Sequence, residues 1–321
     1  MQEQPRNPGE AGTGVPALRA LITGGTGFIG RHLALQLRRP RILSRNPETV
    51  NNPLPHAEYR CWDCRSLPEP SLFEDIDAVF HLAGESVFRG RWTRARKERI
   101  LASRIDTTRL LVEAMAGLER PPSTLVCASA IGFYGDRGDE PLTEEAAPGD
   151  DFLARVCRQW EAEAMRAREH GIRTVCIRTG IVLGADGGAL PRMLTPFSLG
   201  LGGRLGHGYQ YMSWIHIDDL TGIMHRCAVD SWFSGPVNGV APGCVTNREF
   251  TTALAAVLHR PALLPVPPLF LRLLLGEFAG VLLASQRVVP GKALAGGYRF
   301  RYPELDGALR SLLKAGTPSD S

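Results

Sequence analysis

The stretch Leu18-Arg19-Ala20-Leu21-Ile22-Thr23-Gly24-Gly25-Thr26-Gly27-Phe28-Ile29-Gly30 decides the fold. Its first six residues read as a short apolar strand, and the apolar spacing over 28–38 reads as a helix stopped before Pro40. Between them Gly24, Gly27 and Gly30 recur at every third position. In such a loop one glycine permits the tight turn, one lets backbone amides approach a pyrophosphate, and one lets helix and strand pack closely. The helix N-terminus adds a partial positive charge facing the phosphates. Gly24, Gly25, Thr26, Gly27, Phe28, Ile29 and Gly30 are therefore the expected grip on a dinucleotide.

Outward from that loop the chain keeps the rhythm of βαβ units. Strands are expected at 41–44, 78–83, 125–129 and 172–178, and helices at 97–115 and 152–169. The fold class is α/β: a Rossmann doubly wound parallel sheet with helices on both faces, plus a small, mostly helical C-terminal region on the substrate side. Residues 18–240 form the dinucleotide-binding domain with interleaved substrate-pocket segments. Residues 241–314 form the C-terminal region, with a small domain from about 265. A strand-like segment at 214–217 leads into a helix at 219–229. Thr246 and Glu249 form a capping box for a helix to His259, and a last helix covers 305–313. Residues 1–17, polar and rich in Pro and Gly, read as a disordered leader, and 315–321 as a tail.

Composition narrows the partners. Basic residues number 37 against 33 acidic ones, so the net charge of +4 gives no broad reason to expect nucleic acid. Seven scattered cysteines, an odd number, argue against a disulfide framework and for a reducing, cytoplasmic setting. Cys61 and Cys64 make a lone C-x-x-C without a second pair or nearby histidines, so no metal is expected. The apolar stretch 262–284 carries three prolines, Arg272 and Glu277, so buried helices are expected there rather than a membrane span. Contact of this Leu-rich tail with a membrane surface is a lesser alternative.

The end of the second strand chooses the cofactor. A carboxylate there would hold the ribose hydroxyls of NAD, whereas an arginine suits the 2′-phosphate of NADP. Here Ser44-Arg45-Asn46 precedes any acid, so Ser44 and Arg45 favour NADP(H) over NAD(H).

These residues resemble the extended short-chain dehydrogenases/reductases, the NAD(P)-dependent epimerase family. The match runs through Gly24–Gly30, Leu82-Ala83-Gly84, Phe133-Tyr134-Gly135, and Trp214-Ile215-His216-Ile217-Asp218-Asp219-Leu220. More narrowly the chain resembles the atypical SDR39U1 epimerase subgroup. That match rests on Leu82–Ser86, Arg91-Trp92 before Lys97, Ser103-Arg104 and Arg178-Thr179-Gly180-Ile181-Val182-Leu183-Gly184. The resemblance implies that Asp63 bonds the adenine amine, that Leu82, Ala83 and Gly84 line the cofactor, and that Arg104 lies with them. It also implies a small polar or nucleotide-linked substrate, and a monomer or homodimer.

The acid–base pair of the family is absent. Redox members use Tyr-x-x-x-Lys, the lysine lowering the tyrosine pKa. No tyrosine here has a lysine four residues on, and aligning Trp160-Glu161 puts Leu153 and Cys157 in those two places. The usual Ser/Thr partner falls on Ala130. Tyr134, Ser129 and Glu85 are the candidate substitutes, each at the carboxyl edge of the expected sheet. Arg91, Lys97 and Arg104 could hold an anionic substrate group, and His207, Tyr209, Tyr211, Trp214 and His216 could stack on a base or sugar. The expectation is an NADP(H)-binding oxidoreductase or nucleotide-sugar epimerase-like enzyme. A non-catalytic NADPH-binding redox sensor or scaffold is the alternative.

Overall fold

A computed structural model describes residues 18–88, 90–262 and 264–314. The expected leader and tail lie outside the described residues. Seven parallel strands make the sheet: β1 (Ala20–Thr23), β2 (Arg41–Ser44), β3 (Glu58–Cys61), β4 (Ala78–His81), β5 (Thr124–Ala130), β6 (Arg173–Thr179) and β7 (Gly235–Gly239). Their spatial order is β7-β6-β5-β4-β1-β2-β3. The order reverses between β1 and β4, and open α/β sheets bind ligands at the carboxyl ends of such a switch point.

Both faces are covered. Ile22, Ile42, Phe80 and Val126 point into one apolar layer with α1 (Phe28–Leu35) and the helix Ile217–Val229. Leu21, Leu43, Val79 and Leu125 point the other way, against α2 (Arg94–Ala116) and α3 (Phe152–Met165). This alternation is the pleat of a strand buried on both sides. Helix α2 begins three residues before its expected start because Thr93 caps it, accepting the Arg96 N–H at 3.3 Å. The expected capping box is complete, with Thr246 and Glu249 each bonding the other's backbone.

Two strands of this sheet escaped the sequence. Strand β3 is a half-exposed edge strand, Glu-Tyr-Arg-Cys, with no apolar run to betray it. Strand β7, Gly-Pro-Val-Asn-Gly, reads as a turn, yet it pairs along its length with β6.

The C-terminal region corrects another expectation. Helix Pro268–Leu275 buries only Leu271, while Leu269, Phe270, Leu273 and Leu274 stand out from the surface. The segment is therefore not a set of buried helices. Helix Phe278–Leu283 does pack inward, with Phe278 against Trp92 at 5.6 Å between ring centres. No helix among the described residues is long and apolar enough to cross a membrane.

Candidate functional site

The loop after β1 and the loop after β4 meet at the switch point. Gly24 adopts φ +71°, and a Cβ there would lie 2.8 Å from Ala83 N and from Leu82 C and O. Only glycine reconciles that backbone with that approach. Gly30 lets α1 descend onto the turn, since its Cβ would sit 2.4 Å from Gly24 O. No side chain caps α1 at Gly27, and Thr26 and Gly27 are exposed. The amides of its first turn are left for an anion. Phe28 turns its ring away under the glycine-rich loop at 184–188, and Ile29 packs against the core.

A buried histidine braces this wall. His81, the last residue of β4, has Nδ1 2.7 Å from Thr23 Oγ1 and Nε2 3.0 Å from Thr108 Oγ1. Thr108 donates its own proton to Arg104 O at 2.5 Å, and Thr23 Oγ1 accepts the Ala83 N–H at 3.3 Å. The imidazole therefore donates from Nε2 and accepts at Nδ1, which is the neutral ring. Burial pulls its pKa down to about 4. The sequence reading passed over His81 as part of a strand.

Around the adenosine end, Ser44 closes β2 and its hydroxyl accepts the Asn46 N–H at 3.3 Å. Arg45 is exposed, and its guanidinium has no carboxylate partner among the described residues. Asp63 is exposed and already in use: its Oδ1 accepts the N–H groups of Arg65 and Ser66 at 2.8 and 3.0 Å and the Ser66 hydroxyl at 2.9 Å. Those backbone bonds lower its pKa. Arg104 lies directly beneath Gly84, its Cζ 3.3 Å from where a Cβ would be. Its Nη1 donates to Glu85 O at 3.0 Å and Ile100 O at 3.1 Å, so it ties α2 to the loop after β4.

The three candidate acid–base groups are not brought together at one open surface. Tyr134 is fully buried; its hydroxyl donates to Asn238 Oδ1 at 2.6 Å and accepts from Arg178 Nη1 at 3.1 Å. Burial raises its pKa, with Arg178 only partly opposing the rise. Ser129 is also buried, donating to Glu161 Oε1 at 2.6 Å. Glu161 in turn receives Arg178 Nε and Nη2, both at 2.9 Å. Tyr134 and Ser129 thus share one internal network. Glu85 alone keeps its carboxylate at the surface, 38 % exposed, paired with the buried Arg96. Arg96 also donates to Ser86 O, and its Nε has no partner among the described residues.

Of the positions aligned with the family's tyrosine and lysine, Leu153 is half-buried and Cys157 buried. Leu153 packs on Gly132, whose Cβ would touch it at 3.1 Å, and the Cys157 thiol is pushed up to about 12, chiefly by burial. The basic face is also engaged: Lys97 pairs with Glu277, and Arg91 donates to Leu273 O. The aromatic cluster divides in two. Trp214 and His216 are core residues, the latter stacked on Tyr302 at 3.9 Å, while His207, Tyr209 and Tyr211 line a cavity of about 350 Å³.

The Tyr134 hydroxyl supports a prediction. Tyr134→Phe should cost about 1–3 kcal/mol of stability, because Asn238 and Arg178 lose a buried partner. Urea denaturation measures it, and a change within about 0.5 kcal/mol would mean that the phenol carries no structural load.

Fold and cradle together define a dinucleotide-binding α/β protein of the Rossmann type. The profile of the NAD dependent epimerase/dehydratase family matches residues 20–232, and that of a domain of unknown function, DUF1731, matches 266–312. The chain belongs to the NAD dependent epimerase/dehydratase family, in the branch of the SDR39U1-like proteins. Epimerase family protein YfhF of Bacillus subtilis is 40 % identical, covering 91 % of this chain and 97 % of its own length. The crystal structure of human epimerase family protein SDR39U1 with NADPH superposes with a TM-score of 0.82 at 36 % identity, covering 92 % of this chain and 99 % of that one. The nucleoside-diphosphate sugar epimerase from Corynebacterium glutamicum gives 0.75 at 38 %, over 95 % and 60 % of the two chains. A UDP-N-acetylglucosamine 4-epimerase from Methanobrevibacter ruminantium, at 18 % identity and a TM-score of 0.76, shares the fold.

Proposed function

We propose that the chain binds NADP(H) across the β1–β4 crevice and acts as an oxidoreductase or epimerase-like enzyme on a small polar or nucleotide-linked substrate. The observation that carries the cofactor choice is Arg45: an exposed guanidinium at the carboxyl end of β2 with no acid paired to it among the described residues. A planar, charge-assisted donor set of that kind suits a phosphate monoester. The NADPH held by the human SDR39U1 structure supports the same choice. Gly24–Gly30 would hold the pyrophosphate, Asp63 has its Oδ2 left for the adenine amine, and Leu82, Ala83 and Gly84 would form the wall.

When bound, the nicotinamide supplies or accepts hydride. Glu85 is the group best placed to move the accompanying proton, since Tyr134 and Ser129 are committed to the interior. Arg96 would orient that carboxylate. Arg45→Ala should weaken NADPH binding about tenfold while leaving NADH binding unchanged. Isothermal titration with both nucleotides is the test; equal losses for the two would sink the phosphate assignment. Catalysis is tested by following the near-ultraviolet absorbance of bound NADPH against nucleotide sugars, quinones and small carbonyls, with Glu85→Gln alongside.

The burial of two of the three acid–base candidates favours a second reading, an NADPH-responsive sensor or scaffold. That reading expects tight NADPH binding with no hydride loss to any compound tried. It also expects a partner whose contact depends on the cofactor's oxidation state.

A further inference from the structure

Fourteen large apolar side chains stand exposed among the described residues, and eight of them gather in one region. Four lie on helix Pro268–Leu275: Leu269, Phe270, Leu273 and Leu274, each 57 to 69 % exposed. Their spacing puts them on one helical face, pointing away from the single buried residue, Leu271. Leu264 abuts Gly203 in the 199–206 loop, which carries the exposed Leu199 and Leu201, and the exposed Phe88 packs on Phe278 at 5.5 Å.

The segments are stitched into one surface. Val266 N donates to Arg204 O at 2.8 Å, and Gly206 N to Val266 O at 2.9 Å, so the 199–206 loop runs beside the approach to the helix. Arg91 donates to Leu273 O, and Arg192 lies over the Phe88 ring at 5.1 Å. Single exposed leucines need no explanation, but a contiguous group of this size does.

Charge says what covers it. Residues 187–217 and 250–276 contain no Asp or Glu at all, whereas they hold Arg192, Arg204, Arg260 and Arg272. Arg192, Arg260 and Arg272 are exposed, and none of the three has an ion-pair partner among the described residues. The acid that adjoins the face, Glu277, is paired with Lys97, so the unpaired fixed charges of this leucine-rich face among the described residues are arginines, complementary to an apolar layer edged by anions.

We propose that this face rests on an anionic bilayer surface, helix Pro268–Leu275 lying in the headgroup boundary and the arginines pairing with acidic headgroups. The helix has only eight residues, so the contact is peripheral and reversible. This sets aside the expectation of no membrane partner in favour of the lesser alternative read from the Leu-rich tail. The assignment does not depend on which nucleotide or substrate the crevice takes.

The test is co-sedimentation of the full chain with vesicles of phosphatidylcholine alone and with phosphatidylglycerol added. Binding is expected to the mixed vesicles only, weakening as salt is raised. Phe270→Ser with Leu273→Ser should reduce it at least about tenfold, because both side chains leave the buried contact. NADPH affinity of that double variant should match the parent's, showing that the protein is still folded. Arg192→Gln with Arg272→Gln should also weaken binding and flatten its salt dependence. Absence of binding to either vesicle overturns the proposal, as does binding indifferent to lipid charge. A lipid-free dimer dissociated by the two serine substitutions would give the face to a second copy of the chain and overturn it equally.

Discussion

Arg178→Ala should remove about 3–5 kcal/mol of stability, the largest single loss expected in the molecule. The guanidinium sits in strand β6 with its side chain 4 % exposed, and Glu161 opposite it is 11 % exposed. Burial works against the Arg178 cation, yet the two bonds to Glu161 more than offset it and raise its pKa. The same group stacks over Phe133 at 3.4 Å and donates to Glu144 O at 3.1 Å. Truncation would leave the Glu161 carboxylate buried with only Ser129 to bond it. Urea denaturation at constant slope is the measurement. Removing both charges, in Arg178→Met with Glu161→Gln, should recover part of the loss, since no unpaired charge then remains. A single-variant loss below about 1 kcal/mol would show that water reaches the pair.

The second large effect depends on pH. His81 is neutral in the fold, with a pKa near 4 against an ordinary value of 6.5. The unfolded chain therefore takes up the proton first as acid is added. Stability from this residue is whole above about pH 6.5, falls as the pH drops toward 4, and levels off below that. The full difference is about 3 kcal/mol. His216 and His225 also have pKa values lowered by burial, so the total curve is not His81's alone. Subtracting the curve of His81→Asn isolates its share. A difference flat between neutral pH and pH 4 would mean that the imidazole is protonated inside the fold. Protonation would also set a new N–H against the Thr23 hydroxyl, which holds Ala83. Loss of NADPH affinity should therefore begin only as the pH nears 4, where the folded imidazole takes up its proton.

Much of the fold was legible because its strands are buried on both faces. Ile22, Phe80, Val126 and Val175 are apolar for that reason, and short apolar runs between helical patterns are easily read. The edge strand β3 and the glycine-bounded β7 lack that signal, since neighbours far along the chain decide their pairing. At the site, the glycine loop was readable because backbone geometry dictates its residues. Tyr134 lies just past β5, Ser129 one residue inside its end and Glu85 past β4. Their different fates were hidden: the Tyr134 hydroxyl meets Asn238, 104 residues away, and no local pattern encodes that meeting. Nor did anything in the sequence mark Arg96 as the partner of Glu85, beyond its place on α2.

Asp219, in the helix after Trp214–His216, accepts the backbone N–H groups of Arg301 and Tyr302 at 2.7 and 2.9 Å. The Tyr298 hydroxyl bonds its backbone carbonyl at 3.1 Å. Glu144, in the segment between β5 and α3, likewise receives the Lys292 N–H at 3.1 Å. The two regions that family profiles recognise separately are thus sewn together by carboxylates of the first and amides of the last thirty described residues. For inheritance this makes the pair a single unit. A chain that lost the C-terminal piece would leave the Asp219 carboxylate without its backbone donors and Glu144 with the Asn238 N–H alone. On that ground the C-terminal piece can be exchanged between relatives only where its backbone still reaches Asp219 and Glu144.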